Sequence, residues 1–408
     1  MLDYKITKKH YPRTNSNSVL EFIFEKDPNL FLKKNKILIR GSIEIDEKFV
    51  VENGWVSKLF TMLTVEVDSQ IVSNNKSRYN ITHLFISFLL SNEYHLSDYI
   101  YKLGNFNTDY ITSAYVSEGY NDFTNCNAAN LTEDEGKEVI KVRERTVIKA
   151  NGKCRYDFAF IPDMAFLANP DPLIKNCELK LRFDRADAAL SVLKVEDGGT
   201  CDQIEIKDCF ATTEYISSPG LRNHFDRIDT EPITYEFEDV EVLVKSIPYN
   251  QTTVRFDNLR GGNTPSHIFA GIIKTDALDG NTLYSSSQFG CYNVDEMNFT
   301  LNGNSVNGYP LTIKDGSSVF PLQKFIDATK RTSNISCGKF LTPNEFRFNW
   351  IWAHHFEAEQ TSQGWAGINF KLSKAFTEAN GSMSLVVWII SPSALKIDKF
   401  HQVEKLNL

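Results

Sequence analysis

The chain lacks a basic excess. Its 408 residues carry 44 Lys and Arg against 52 Asp and Glu, a formal net charge of -8. Neutralising a phosphate backbone needs a basic face, so no specific nucleic-acid site is expected and any such contact is local. The local candidate is the N-terminal segment, where Lys5, Lys8, Lys9, His10 and Arg13 precede the polar run from Thr14 to Ser18. We read it as a flexible polar arm. Long apolar runs are missing too. None approaches the roughly 18 residues of a membrane helix, and the opening MLDYKITKKHYPRT has no apolar stretch of the secretory type, so neither a transmembrane segment nor a signal peptide is expected.

Cysteine is sparse, odd in number and scattered: Cys126, Cys154, Cys177, Cys201, Cys209, Cys291 and Cys337, never spaced C-x-x-C. That excludes a zinc ribbon and a dense disulfide frame, and leaves reduced thiols as the expectation. Phosphate-binding and nucleophile motifs are absent as well: there is no G-x-x-x-x-G-K-[ST], no G-x-G-x-x-G and no G-x-S-x-G. Gly198-Gly199 and Gly261-Gly262 lack the strand-to-helix setting of a phosphate loop. No catalytic residue, metal ligand or cofactor is assigned, and the chain is not read as an enzyme.

What is present is β-forming. Hydrophobic residues make up 42% of the chain, enough for proper cores, and the 29 Phe and 16 Tyr among many Val, Ile and Thr favour strand over helix. Single cores stop growing beyond about 250–300 residues, so two β-lobes of roughly 180 residues are expected. Alternation marks strands at Leu20–Phe24, Lys36–Ile45, Leu59–Val72, Glu138–Lys149, Tyr156–Ile161 and Glu178–Phe183 in the first half. In the second half it marks Cys201–Ala211, Glu241–Ile247, Ser266–Lys274, Met297–Leu301, Phe346–His354, Gly367–Leu372 and Met383–Ile390. Arg260-Gly261-Gly262, Asp279-Gly280 and Asn302-Gly303 supply turn chemistry, and Asn380-Gly381 predicts a hairpin between the last two strands. Helical spacing appears at His83–Leu103 and at Phe320–Thr329, where Pro321 suits a first turn. Asn105–Glu135 reads as a long surface loop. The charged, glycine-bearing stretch Lys194–Thr200 is the best division point. The expected organisation is an arm at 1–19, lobes at 20–197 and 198–392, and a tail at 393–408.

Three clusters invite a functional reading. His354 and His355 sit beside Glu357 and Glu359, but adjacent strand residues point to opposite faces, so ordinary strand histidines are preferred to a metal site. Asp157, Asp163 and Asp171, and likewise Asp184 and Asp187, crowd short regions without evidence of convergence, and are read as solvated loop acids. Trp350, Trp352, Phe356 and Trp365 could form an aromatic platform for sugar. This keeps a carbohydrate- or receptor-binding β-sandwich protein as the alternative function, although such rings more often fill cores.

Several ordered motifs carry a resemblance. Asn53-Gly54-Trp55-Val56-Ser57-Lys58-Leu59-Phe60 precedes a strand Val65–Val72 and a helix fitting Tyr79–Leu90. Tyr156-Asp157-Phe158 and Leu179–Phe183 follow. The second half has Pro265–Ile273, Gly280, Phe370, Leu385–Ile390 and Ile397-Asp398. This succession, from about Ile37 to Ile397, resembles the major capsid protein, or hexon, of Polinton/Maverick elements and adintoviruses. The segment Asn281–Cys291 departs from that pattern. The resemblance implies an all-β fold of two consecutive jelly-roll sandwiches, a double jelly roll, with short helical insertions. It further implies homotrimers acting as pseudo-hexagonal capsomers of an icosahedral shell around a double-stranded DNA virus or virus-like element. Penton and minor capsid proteins would be partners, and the virion, assembled in host nucleus or cytoplasm, the location. The family has no catalytic residues to carry over.

Overall fold

Alternating apolar residues become antiparallel strands wherever the period of two is clear. The computed structural model describes residues 4–85 and 147–407 apart from short interruptions, of which 331–349 is the longest; residues 1–3, 86–146 and 408 lie outside the description. The loop expected at Asn105–Glu135, most of the helical stretch His83–Leu103 and most of the strand Glu138–Lys149 therefore lie outside the described residues.

The first lobe contains β1 (Tyr4–His10), β2 (Thr14–Asn15), β3 (Val19–Phe24), β4 (Phe31–Asp46), β5 (Phe49–Val51) and β6 (Phe60–Val67). It continues with β7 (Gln70–Asn74), β8 (Val147–Ala150), β9 (Lys153–Phe160), β10 (Leu179–Arg185), β11 (Val192–Lys194) and β12 (Glu205–Ser217). Two five-stranded sheets face each other, one in the order β1-β12-β4-β9-β8 and the other β2-β3-β10-β6-β7, with β5 and β11 forming a small third. Leu179, Leu181 and Phe183 of β10 are buried, as are Leu63, Val65 and Val67 beside them, while Lys180 turns outward to Glu21 and Glu66 of the flanking strands at 3.3 and 3.4 Å. Alternation thus separates core from charge residue by residue.

The second lobe contains β13 (Ile233–Ser246), β14 (Thr253–Gly262), β15 (His267–Lys274), β16 (Val294–Leu301) and β17 (Asn304–Ser305). After these come β18 (Leu311–Thr312), β19 (Ile351–His355), β20 (Gly364–Leu372), β21 (Met383–Ile397) and β22 (Val403–Asn407). Its sheets run β13-β21-β15-β19, with β22 on β21, and β14-β20-β16-β17, with β18 on β16. Asn302 and Gly303 take φ of 52° and 80° in the two-residue turn between β16 and β17, as the Asn-Gly pair predicts.

The helices are short. They are α1 (Trp55–Lys58), α2 (Tyr79–Leu84), α3 (Ala165–Ala168), α4 (Pro219–Asp226), α5 (Thr275–Leu278) and α6 (Val319–Lys330). In α6 Leu322, Phe325 and Ala328 are buried at spacings of three, the stripe the sequence predicts.

Two strands tie the lobes together. Tyr235 and Phe237 of β13, with Leu395 and Ile397 of β21, belong to the first lobe's core. Further along the same strands Trp388, Ile389 and Ile390 lie in the second core, with Val240 and Val242 packed against it. Across α2 a similar link forms. Tyr79 meets Phe183 edge-on at 6.0 Å, and Phe85, just past the helix, stacks on Trp388 at 4.5 Å.

Two turn expectations are corrected, and strand pairing bears on the expected division, arm and tail. Strand β12 lies between β1 and β4, so strand pairing carries the first lobe to Ser217, past the division expected at 197/198. The segment expected as a flexible arm is instead β1, paired along its whole length with β12, and most of the expected tail is paired as well, through the end of β21 and β22. Gly261 and Gly262 are strand residues opposite Trp365 and Gly364, not a turn. Gly381 does take a positive φ of 75°, but β20 and β21 belong to different sheets and so form no hairpin with each other; Asn380 lies outside the described residues.

Replacing Leu395, fully buried in the first core on a strand rooted in the second, by Ala is expected to cost about 2–5 kcal/mol. Because the strand is shared, denaturant unfolding followed by amide exchange in both lobes should show both losing protection together. Loss confined to one lobe would contradict the coupling.

Candidate functional site

The histidine cluster divides between two faces, as the strand geometry predicts. His354 turns into the second core, its ring stacked against Phe299 at 5.8 Å and edge-on to Phe356 at 4.7 Å. Burial, helped by the charges of Lys324 and His355, pushes its pKa down to about 4, so the ring is neutral near pH 7. His355 lies opposite His267 in the neighbouring strand. Its Nδ1 is hydrogen-bonded to His267 Nε2 at 2.9 Å, and His267 Nδ1 to Ser266 Oγ at 3.0 Å. Among the described residues no three His, Cys, Asp or Glu side chains gather as a metal would require.

The acids do not converge either. Asp157 and Asp208 both pair with Arg155, at 3.4 and 2.9 Å. Asp184 pairs with Arg182 at 3.1 Å, and Asp187 accepts the Ala189 N–H at 2.9 Å to open a short 3-10 turn. Asp171 is exposed, and Asp163 lies outside the described residues. These carboxylates hold loops and strand faces rather than a substrate.

Of the aromatic platform, Trp350, Trp352 and Phe356 are core residues, Trp350 and Trp352 packing at 5.7 Å. Of the four, Trp365 alone is open, at 47% exposure, so these rings do not share one exposed face. Cys154, Cys177, Cys201 and Cys209 are not in disulfides; burial pushes the Cys177 thiol pKa well up and that of Cys209 to about 12, so both stay protonated. Cys126, Cys291 and Cys337 lie outside the described residues.

The basic N-terminal residues are committed to folding. Lys8 pairs with Asp27 at 2.9 Å and sits over the Tyr215 ring, Lys9 sits 3.8 Å above Phe210, and His10 packs against Phe24 at 4.8 Å. Burial, with Lys8 nearby, lowers the His10 pKa. Lys5 and Arg13 of the same group are exposed.

One polar cluster escaped the sequence reading. Lys34 of β4 is 1% exposed, yet its ammonium lies between the Phe166 and Tyr235 rings, at 5.2 and 4.8 Å, where the first lobe meets β13. Its Nζ donates to Asn169 Oδ1 at 3.1 Å and to the Asp171 carbonyl. Asn169 Nδ2 in turn donates to the Glu236 carbonyl, and Tyr235 Oη to the Pro172 carbonyl. The signal was a lysine at an inward position of an alternating strand, visible only once the partners 135 residues away are known.

With catalytic convergence absent among the described residues, the candidate functional surface is the outside of the sandwiches. β1 and the long strand β13 end their sheets, and Val240, Val242, Leu243 and Val244 of β13 are only partly covered. Tyr4 opens β1 and Tyr11 follows it, at 63% and 69% exposure, and Phe400 stands out at 69% between β21 and β22. Edge strands with apolar neighbours offer backbone and side chain to a second molecule. Among the described residues no helix is long and apolar enough to cross a membrane.

A scan against protein-family models gives no match, and a search of curated proteins gives none. Solved structures do match. The Sputnik virophage structure superposes with a TM-score of 0.64 at 11% identity, covering 99% of this chain and 88% of that one. The PBCV-1 virus capsid gives 0.57 at 9% identity, over 99% and 96%. The Faustovirus major capsid protein gives 0.56 at 7% identity, over 100% and 91%. The likeness is one of fold, and the fold is the double jelly roll.

The buried His354 makes a pH prediction. Its folded pKa of about 4 lies below the ordinary 6.5, so the unfolded chain takes up the proton first as pH falls. Its share of stability is complete above pH 6.5 and is lost between there and pH 4, on the order of 3 kcal/mol. Denaturant titrations of His354→Leu and wild type at pH 7 and pH 4.5 should show the variant losing less on acidification. Equal losses would contradict a neutral buried ring.

Proposed function

We propose that this chain is a structural shell protein, the hexon-type major capsid protein of a double-stranded DNA virus or virus-like element of the Polinton/Maverick and adintovirus kind. The observation that carries the proposal is two sandwiches in one chain, joined through continuous strands, matched end to end by solved capsid structures. A protein that builds a shell needs rigid lobes and broad contacts with its own kind, not a reactive pocket.

In this reading the first jelly roll runs from β1 to β12 and the second from β13 to β22. Three copies join as a capsomer whose six lobes give a pseudo-hexagonal outline, and capsomers tile an icosahedral shell with penton and minor capsid proteins at special positions. Paired acids, protonated thiols and buried histidines support a role without catalysis. The part-covered edge of β13 and the aromatic residues flanking β1 suit obligate subunit contacts, which bury about 2,000–5,000 Å² and are rather apolar. The protein would act in the virion capsid, assembled in the host nucleus or cytoplasm.

Size-exclusion chromatography with light scattering tests this directly. The expected mass is about three times 46.5 kDa, unchanged on dilution into the micromolar range. A stable monomer would overturn the capsomer assignment.

A further inference from the structure

We propose that Lys34 and Asn169 join in an intramolecular isopeptide bond, the Lys34 amine displacing ammonia from the Asn169 side-chain amide. The two groups already touch, Nζ lying 3.1 Å from Oδ1, on a lysine with 1% exposure. Each requirement of acyl transfer is met by a named group.

The nucleophile must be a neutral amine. Desolvation among the Phe166 and Tyr235 rings pushes the Lys34 pKa from 10.5 down to about 7, so a substantial share of the amine is unprotonated near neutrality. The amide must be held in one orientation. Its two ends are held by different partners: Nδ2 donates to the Glu236 carbonyl at 2.8 Å, which directs Oδ1 toward Lys34. Charge that develops on Oδ1 must be stabilised. The Asp171 N–H donates to that oxygen at 2.8 Å, where a tetrahedral oxyanion would form. The two rings cover the amine, while the Asn169 amide is half-buried, so water is the competing nucleophile.

The step balances without an oxidant or cofactor. The Nζ lone pair forms a bond to Asn169 Cγ and the carbonyl pair moves onto Oδ1. On collapse the Cγ–Nδ2 bond breaks and Nδ2 leaves as ammonia, taking up the proton that Nζ sheds. Asp171, whose carbonyl accepts from Nζ and whose carboxylate charge acts on Lys34, is the residue assigned to carry this proton. A primary amine and a primary amide become a secondary amide and ammonia.

The bond would close a loop of 135 residues and fasten β4 to the segment beside Tyr235 and Glu236, where β13 enters the first core. Cross-links over long loops restrict the unfolded chain most. This proposal stands apart from the shell assignment, because it needs only the folded chain.

Intact-mass spectrometry of the purified full chain tests it. Loss of ammonia lowers the mass by about 17 Da from the sequence value, and tandem spectrometry after trypsin should give a branched peptide joining Lys34 to Asn169. Lys34→Arg and Asn169→Ala should each restore the unmodified mass. Full sequence mass with both linear peptides recovered would overturn the proposal, and so would a gain of about 1 Da at Asn169, since that outcome means water reaches the amide instead of the amine.

Discussion

Both lobes depend on strands that neither owns alone. Strands β13 and β21 are paired from Ile233↔Ile397 to Ser246↔Ser384 without a break in register, and their opposite ends lie in different cores. A ladder of this length cannot bend freely between the sandwiches without breaking hydrogen bonds that have no other partner. The stack of Phe85 on Trp388 adds a second tie. The hinge that a two-domain chain commonly has is therefore replaced by continuous sheet.

The rest of the interior follows from that rigidity. Trp55, Trp350, Trp352 and Trp388 are nearly fully buried, and rings of this size dominate core energetics. Glycine appears in the core where a ring needs the space. A Cβ on Gly271 would come within 2.7 Å of Phe289, and one on Gly41 within 2.8 Å of Phe158. Among the described residues, two charged groups of the interior have named oxygen partners. Arg185, its pKa lowered by burial to about 10, donates to the Ile204 carbonyl at 2.6 Å, and Lys34 meets Asn169 at the lobe junction. The interior is organised for shape, and its polar exceptions hold segments that come together from distant parts of the chain.

Local features were legible in the sequence. The alternation of Leu179, Leu181 and Phe183, the helical stripe of α6, the Asn302-Gly303 turn and the opposite faces of His354 and His355 all follow from periods of two or 3.6 and from turn chemistry. Burial of Trp350 and Trp352 was legible because rings of that size dominate core energetics. Tertiary choices were not. The assignment of β12 to the first lobe rests on pairs such as Glu205↔Glu44, far apart in the chain, whereas the glycine-bearing stretch before it suggested a break. The positive φ of Gly381 fits turn chemistry, yet nothing local decides whether the next strand joins the same sheet or the facing one. Lys34 reads as a surface residue on charge alone, and only the fold brings Asn169 and the two rings to it.

In the capsomer proposed above, two sandwiches per chain let three chains imitate a six-sided brick. Electron microscopy of the purified protein, with class averaging of single particles and no imposed symmetry, measures this most directly. The account predicts particles with a three-fold axis and six lobes around it in a near-hexagonal outline, two lobes to each chain. Isolated two-lobed particles, or assemblies whose lobes do not close into a ring of six, would contradict it.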